Sequence, residues 1–570
     1  MKKQTVHHSA QTKRRERLYR AIAILLPFLA LAAAEAALRA CGYGHDLDAF
    51  IPYPQNTEYV VFNPHASNRF FLDPRFAPSG NKELMRAEKA GGTFRIIVLG
   101  ESTTVGFPYF HNGSFHRWLL YRLLRTYPDS HFEVVNLSLT AVNSYAVRRF
   151  AEEAARCEPD AVLIYAGQNE YYGAQGVASS QMLASAPAVV DAMLRMRRSR
   201  LVQWATNAYG ALRQTPGQAE ATRMELMIGD RQIPRGSALY DRGLAQFEYN
   251  MDAALRHLAE RGIPVFVSSV ASNIKDLPPF VSDGADPESD AARLYALGHE
   301  ALGRGEYERA HDLLTRAKDA DLLRFRAPEA LNGIVEALCE RYGGAHFVDT
   351  RRALEARAPH GLLGDELFTD HVHPNLTGYA VMSEAFYGAL LASGLLPPAP
   401  QGAMSDGELE RDMPVSPVDS LAARLRIAQL RAHFPFYDSL YTGRAVPEET
   451  TEERLAAALF RREVDWLTAH SALYDDCLRR GMTRAAARVA ENTVLEYAED
   501  PVFYEQAAMI CGQAGRTADA AFYMGKAFDM QPSFARARYA AVFSLMIDDP
   551  ERAMPRLDYA VAHNTEGRGM

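Results

Sequence analysis

From residue 94 to residue 391 the apolar positions alternate between two periods. Residues 94–100, 132–137, 161–166, 263–269 and 345–349 are short apolar runs, and two of them stop at Gly100 and Gly167. Strands buried on both faces read this way. Between them, residues 114–127 set Phe115, Trp118, Leu119, Leu123 and Leu124 at helical spacing, and residues 147–157 and 376–391 also read as helices. Such βα units predict an α/β fold with a parallel sheet covered by helices on both faces. Ligands of these sheets bind at the carboxyl ends of the strands.

Two stretches interrupt the pattern. Residues 180–227 are rich in Ala and Arg and read as mostly helical. Residues 291–321 carry Gly298, Ala301, Gly305, Tyr307, Ala310, Leu314 and Ala317, the small and aromatic positions of one tetratricopeptide (TPR) hairpin. A lone hairpin cannot bury its own apolar face, so it should pack on the sheet domain or on another repeat. Residues 396–417 read as a Pro-, Gly- and Asp-containing linker, and residues 418–570 as almost wholly helical. Tyr504, Ala508, Gly515, Ala520, Ala527 and Pro532 fit the TPR template of about 34 residues. Gly481 and Ala486 lie one period earlier; Ala553 and Ala560 lie one period later, slightly out of register. About three repeats are expected from residue 468 onward, with a plain helical bundle as the alternative.

The N-terminus changes the picture of where the protein works. Lys2, Lys3, Lys13, Arg14, Arg15, Arg17 and Arg20 precede an apolar run over residues 21–34, broken only by Pro27. Positive charge before an apolar run keeps the N-terminus in the cytoplasm and sends the rest across. Counted from Leu18 to Leu38, with Arg20 and Glu35 reaching toward the headgroups, the run is long enough to span a bilayer. Three readings stand: a retained signal-anchor, preferred here; a signal peptide cut near Ala32 to Ala34; and a soluble protein with an apolar first helix. Arg39 argues against a lipoprotein site at Cys41. The domain reading is a basic segment and anchor helix over 1–41, an extended lead-in over 42–93, the α/β domain over 94–395, the linker and the helical domain.

At 570 residues the chain exceeds one hydrophobic core. A net charge of −8 argues against a general nucleic-acid binder, which needs a basic face. The five cysteines are far apart and form no CxxC pair, so neither a zinc site nor a disulfide framework is expected.

Four polar segments carry chemistry. Gly100-Glu101-Ser102-Thr103-Thr104 lies where a strand ends and a helix begins, which gives Ser102 an exposed hydroxyl and an unpaired N–H; a helix N-cap is the plain alternative. Residues 136–144 follow the second strand with N–H groups available at a turn. Asn169, after the third strand, is a neutral donor able to stabilise negative charge, or a turn residue. In Asp370-His371-Val372-His373 the carboxylate can accept from one imidazole nitrogen of His373 while the other accepts a serine proton. A metal pair, His371 with His373, is the competing reading, but no further ligand cluster presents itself.

Together, in this order and each after its strand, the segments resemble the SGNH (GDSL-like) hydrolase superfamily over residues 94–391. The likeness is closest to bacterial members with an N-terminal membrane helix and TPR repeats, which carry stretches like Gly167 to Gly173 and Arg324 to Pro328. The resemblance implies a flavodoxin-like sheet, Ser102 as nucleophile, His373 as general base and acid, and Asp370 as its orienting partner. The oxyanion hole it implies consists of the N–H groups of Ser102 and Ala141 and the Asn169 side chain. Glu101 stands where the family has Asp, a mild change on a non-reacting residue. Ala141 stands in place of Gly and keeps its N–H, provided the backbone there does not require positive φ. Phe107, Tyr109, Tyr171 and Tyr172 are candidates for a substrate pocket or for core filling. Arg324 and Arg326 are read as ion-paired at the surface or between helices, rather than as an anion site.

The expected activity is two-step hydrolysis of an ester of a cell-envelope carbohydrate, lipid or small molecule, without metal or organic cofactor. Alternatives are an O-acyltransferase of envelope glycans and a non-catalytic TPR scaffold. The expected setting is a membrane-anchored protein with its catalytic domain in the periplasm and a protein or glycan partner on the repeats.

Overall fold

The computed structural model describes residues 2–182, 184–212, 227–228, 232–284, 290–438, 440, 447–564 and 567. A helix, Lys2–Ala40, opens the chain, and its portion Arg15–Ala40 is apolar and solvent-facing. Residues 42–92, expected to be extended and loop-rich, build a small antiparallel sheet of β1 (Phe50–Pro52), β2 (Tyr59–Phe62) and β3 (Leu84–Arg86). These strands are too short and too Pro- and Asn-interrupted to show alternation. Phe62, Phe70, Phe71 and Met85 enter the main core, so the lead-in is a part of the α/β unit. Buried Arg95 ties the two together: it donates to Glu133 at 2.5 Å and to the carbonyls of Cys157 and Arg86.

The main sheet contains β4 (Thr93–Gly100), β5 (His131–Asn136), β6 (Ala161–Tyr165), β7 (Val265–Ser268) and β8 (Ala345–Val348). All pairings are parallel, in the order β5-β4-β6-β7-β8, which is the flavodoxin-like order. Helices Phe115–Thr126, Leu376–Ala392 and Thr350–Arg357 cover one face; Ser144–Ala154, Ala238–Ala259 and Glu329–Arg341 cover the other. Ile96, Ile97, Val98, Leu99 and all of β6 are therefore sealed from solvent, which accounts for their lack of alternation. The direction of strand addition reverses between β4 and β6. A crevice opens outside their carboxyl ends.

The hairpin of Ala291–Gly303 and Tyr307–Ala320 closes where Gly298 lies against Leu314. It packs on the α/β unit through Leu294, Ala310, Leu314 and Ala317, which meet Leu354, Leu367 and Phe368. Of the stretch 180–227, helices Pro187–Met196 and Arg200–Leu212 are described, and residues 183 and 213–226 lie outside the described residues. Residues 396–417 are more than a linker. Ser405 and Glu408 form a capping box for the helix Asp406–Asp412, which buries Leu409 and is followed by buried Met413 in the main core.

From Pro417 the chain forms successive helices, each packed on the next: Pro417–Ala432, Thr451–Phe460, Trp466–Arg479, Thr483–Glu496, Pro501–Gln513, Thr517–Met530, Phe534–Met546 and Pro550–Ala562. They lean on helix Phe115–Thr126. Arg125 joins Asp519 at 2.7 Å and Tyr523 at 2.9 Å, and Lys526 donates to the Ser130 carbonyl. A cavity of about 900 Å³ between these helices and the edge strands β3 and β5 contains none of the residues singled out for chemistry.

Candidate active site

At Gly100 an added Cβ would collide with Thr104 and the Tyr165 carbonyl, so only glycine lets β4 turn this sharply into the helix Ser102–Val105. Ser102 is the first residue of that helix, and among the described residues its N–H has no protein acceptor. The loop before helix Leu376–Ala392 comes to the same place. A bridge of Phe368 with Pro374 and the bond from Thr369 N–H to the His373 carbonyl close it, and Asn375 caps the helix that follows.

Ser102 Oγ and His373 Nε2 lie 2.8 Å apart, and His373 Nδ1 lies 2.6 Å from Asp370 Oδ2. The other carboxylate oxygen accepts from the N–H groups of Val372 and His373, each at 2.9 Å. Burial pushes the Asp370 carboxyl up, but the His373 and His371 rings beside it outweigh burial and hold it well below the usual carboxylate range. An ionised carboxylate only accepts, so Nδ1 of His373 carries the proton and Nε2 is left to accept from the serine. Phe107 lies against His373 with ring centroids 4.5 Å apart.

The Nδ2 amide of Asn169 is buried and, among the described residues, has no hydrogen-bond partner. Ala141 has φ of 61°. The proviso attached to it in the sequence therefore fails: the backbone is left-handed, and alanine adopts that conformation at a cost of order 1 kcal/mol. Its carbonyl accepts from Ala174, and its N–H meets no acceptor among the described residues.

Glu101 is less passive than the sequence suggests. Its buried carboxyl accepts from the N–H of Gly167 at 3.1 Å and of Asn169 at 3.0 Å, and so holds the loop that presents the Asn169 amide. Burial and neighbouring Glu170 push it up to about 8, against the pull of those donors. Glu170, raised to about 7 by burial, accepts from Ser144 and Gln246 behind the loop.

The aromatic candidates divide. Phe107 and half-buried Tyr109 flank the site; Tyr109 meets the edge of Tyr379, whose hydroxyl donates toward the carbonyls of Thr103 and Phe107. Tyr171 and Tyr172 are buried in the apolar cluster behind Phe280 and Phe325, Tyr171 against Gly243 with its hydroxyl on the Tyr240 carbonyl and Tyr172 against Phe325. They fill core. Arg324 and Arg326 are buried, and of the two Arg326 is ion-paired, with buried Asp321 at 3.1 Å. Arg324 donates to the carbonyls of Ile233 and Asp319, and Arg326 to those of Asn273 and Leu277 and to Asp321.

One wall of the site comes from residues not foreseen. The rings of Phe280, Phe325 and Phe436 each stand edge-on to His371 at 5.5–5.9 Å, and His371 stands edge-on to His373. Phe436 belongs to the turn after helix Pro417–Ala432, far along the chain, where aromatic residues beside Pro435 were the only signal. From the same helix Arg426 donates to the Pro108 carbonyl at 2.8 Å and lies over the Phe110 ring.

Asp370, His371 and His373 lie close enough to share a cation. Asp370 and Ser102 already engage both ring nitrogens of His373, so a metal there would have to displace one of them.

A doubly wound parallel sheet with an alcohol, an imidazole and a carboxylate in line at its switch point defines a serine hydrolase. Residues 98–381 match the family model of GDSL-like lipases and acylhydrolases. Through this domain the chain belongs to that family, as an ester-hydrolysing serine hydrolase. Solved structures similar to it include an acetylxylan esterase from Geobacillus stearothermophilus, with 13% identity over 52% of this chain and 94% of that one at a TM-score of 0.26. A GDSL-like lipase from Bacteroides thetaiotaomicron gives 12% identity, coverage of 54% and 92%, and a TM-score of 0.27. Comparison with curated proteins gives no match.

Proposed function

We propose that Ser102 is the nucleophile of a two-step acyl transfer to water. His373 Nε2 takes the hydroxyl proton as Oγ attacks the ester carbonyl, and Asp370 stabilises the imidazolium that forms. The tetrahedral oxyanion accepts from the N–H groups of Ser102 and Ala141 and from Asn169 Nδ2. His373 then protonates the departing alkoxide, leaving an acyl-serine, and deprotonates the water that releases the acid. The observation that carries this reading is the unbroken line from Ser102 Oγ through His373 to Asp370, at 2.8 and 2.6 Å, beside an unpartnered Asn169 amide.

The basic residues before the apolar helix support a retained anchor with the catalytic domain outside the cytoplasm. O-acyl esters of the cell envelope are then the substrates within reach, and the concave face of the helical repeats is the place for a protein or glycan partner. The test compares wild type with Ser102→Ala on short-chain aryl esters and acetylated glycans. Hydrolysis by wild type and not by Ser102→Ala is expected; equal turnover by both removes the assignment.

A further inference from the structure

The apolar N-terminal helix is fastened to the folded domain near its end. The Glu35 carboxylate accepts from Ser199 Oγ at 2.6 Å and from the N–H groups of Arg200 and Leu201 at 3.0 and 2.8 Å, so it caps the helix Arg200–Leu212. Gln203 exchanges two bonds of 3.0 Å with the backbone of His45, and Asn207 donates to the Tyr43 hydroxyl. Residues 199–207 are therefore level with the end of the apolar helix. That helix runs from Arg15 to Ala40, and a bilayer's hydrocarbon core takes about 20 helical residues. Its last turns emerge among the lipid headgroups, and residues 199–207 stand at the same depth.

The surface presented there is apolar on the side turned away from the core. Helix Pro187–Met196 buries Val190, Asp191 and Leu194 and turns Ala188, Val189, Ala192, Arg195 and Met196 outward, a single stripe at helical spacing. Val189 is 49% exposed, Met196 55% and Trp204 50%. Arg39, Arg195 and Arg198 on the same segments are exposed, each beside a carboxylate, Glu35, Asp191 and Asp48 respectively. A surface helix facing water buries an apolar stripe and turns polar residues outward, whereas this one is apolar on its outer face as well as its inner one. Exposed apolar residues with arginines and a tryptophan nearby suit a phospholipid interface.

We propose that helices Pro187–Met196 and Arg200–Leu212 form a second membrane contact, lying in the headgroup layer of the bilayer that the N-terminal helix spans. Val189, Met196 and Trp204 enter the acyl boundary, and the arginines meet lipid phosphates. The contact adds to the bonds at the helix end in fixing the orientation of the catalytic domain against the bilayer. It rests on the anchor reading of the first helix.

Trp118 and Trp466 are 3% and 5% exposed, so Trp204 is the one tryptophan of the three open to its surroundings. The full chain is reconstituted into vesicles of phosphatidylcholine and phosphatidylglycerol, with and without phosphatidylcholine brominated high on its acyl chains. The expected result is emission quenched by the brominated lipid and shielded from aqueous acrylamide, with both effects lost in Trp204→Phe. Vesicle-bound protein whose Trp204 is quenched by acrylamide and not by bromine overturns the second contact while leaving the anchor. Protein that does not float with vesicles removes the anchor and this proposal together.

Discussion

Replacing Asn169 by alanine separates a catalytic from a structural role, because the structure assigns its two halves different work. The backbone N–H and carbonyl bond Glu101 and Gly173, and both bonds survive the change. The side-chain Nδ2 is buried and bonded to nothing, so its removal deletes no ground-state hydrogen bond. A buried unsatisfied donor costs about 1–3 kcal/mol, and that relief offsets the packing lost with the amide. The melting temperature should stay within about 3 °C of wild type. In the transition state the same atom faces the developing oxyanion, where one lost donor lowers kcat by about 10²–10³-fold, or about 2.7–4 kcal/mol. Asn169→Asp keeps the shape and replaces a donor with an acceptor, so it should do no better. The assay is steady-state hydrolysis of a short-chain aryl ester, paired with thermal unfolding. A fall in kcat below about fivefold, equivalent to about 1 kcal/mol, refutes the assignment of Asn169 to the oxyanion. So does a large loss of stability, which marks the residue as structural.

Ala141→Gly should raise stability by up to about 1 kcal/mol with kcat retained, since glycine adopts φ of 61° without strain; a lower melting temperature contradicts that account. Glu101 at about 8 and Glu170 at about 7 hold protons that the unfolded chain releases near 4.5, so the native state binds more protons between those values. Their contribution to stability is full below about pH 4.5 and is lost as pH rises toward 8. Unfolding followed from pH 5 to 9 should show the decline, and Glu101→Gln should flatten it; an unchanged slope in that variant shows that Glu101 is not its source. Phe436→Ala should raise KM several-fold, about 1 kcal/mol, for esters with a bulky acyl or alcohol group and leave acetyl esters unaffected. Equal effects across a chain-length series would place Phe436 outside the substrate wall.

Much of the sheet was legible because parallel strands leave a strong local mark: β4 and β6 are buried on both faces and are continuous apolar runs. That Ser102, His373 and Asp370 come together was legible for a related reason, since each follows a strand or precedes a helix in a fixed order. Strands β1–β3 were not, because three or four residues interrupted by Pro and Asn carry no periodicity. Burial of the lead-in strands depends on Arg95 and on the edge of β5, which are partners distant in sequence. Tyr171, Tyr172, Arg324 and Arg326 sit in motif-like stretches, and nothing local reveals that they close a core around Tyr240 and Asp321. The role of Glu101 also depends on distance along the chain: it spans to Gly167 and Asn169, a contact that residue type alone does not disclose.

The C-terminal helices are bonded to the turn that follows Ser102. The turn between Gly106 and Ser114 carries Phe107, which lies on His373, and it also holds Phe110 and His111 at positive φ of 58° and 42°. Conformations of this kind persist only where the surroundings over-determine them. Those surroundings come from the helical region: His111 pairs with Glu496 at 2.6 Å, Asn112 bonds Asn492, and Arg426 holds the Pro108 carbonyl. Glu496 also faces Arg117 at 3.6 Å, which joins Glu83 of the lead-in, so the C-terminal helices, the small sheet and the turn after Ser102 share one buried polar network. Shifting the repeats against the sheet would unpair charges at these points, each of which is costly to bury alone. The position of the Phe107 ring beside the His373 imidazole is thus set by residues more than three hundred positions downstream, and under the proposed mechanism displacing the helical region should change turnover through that turn.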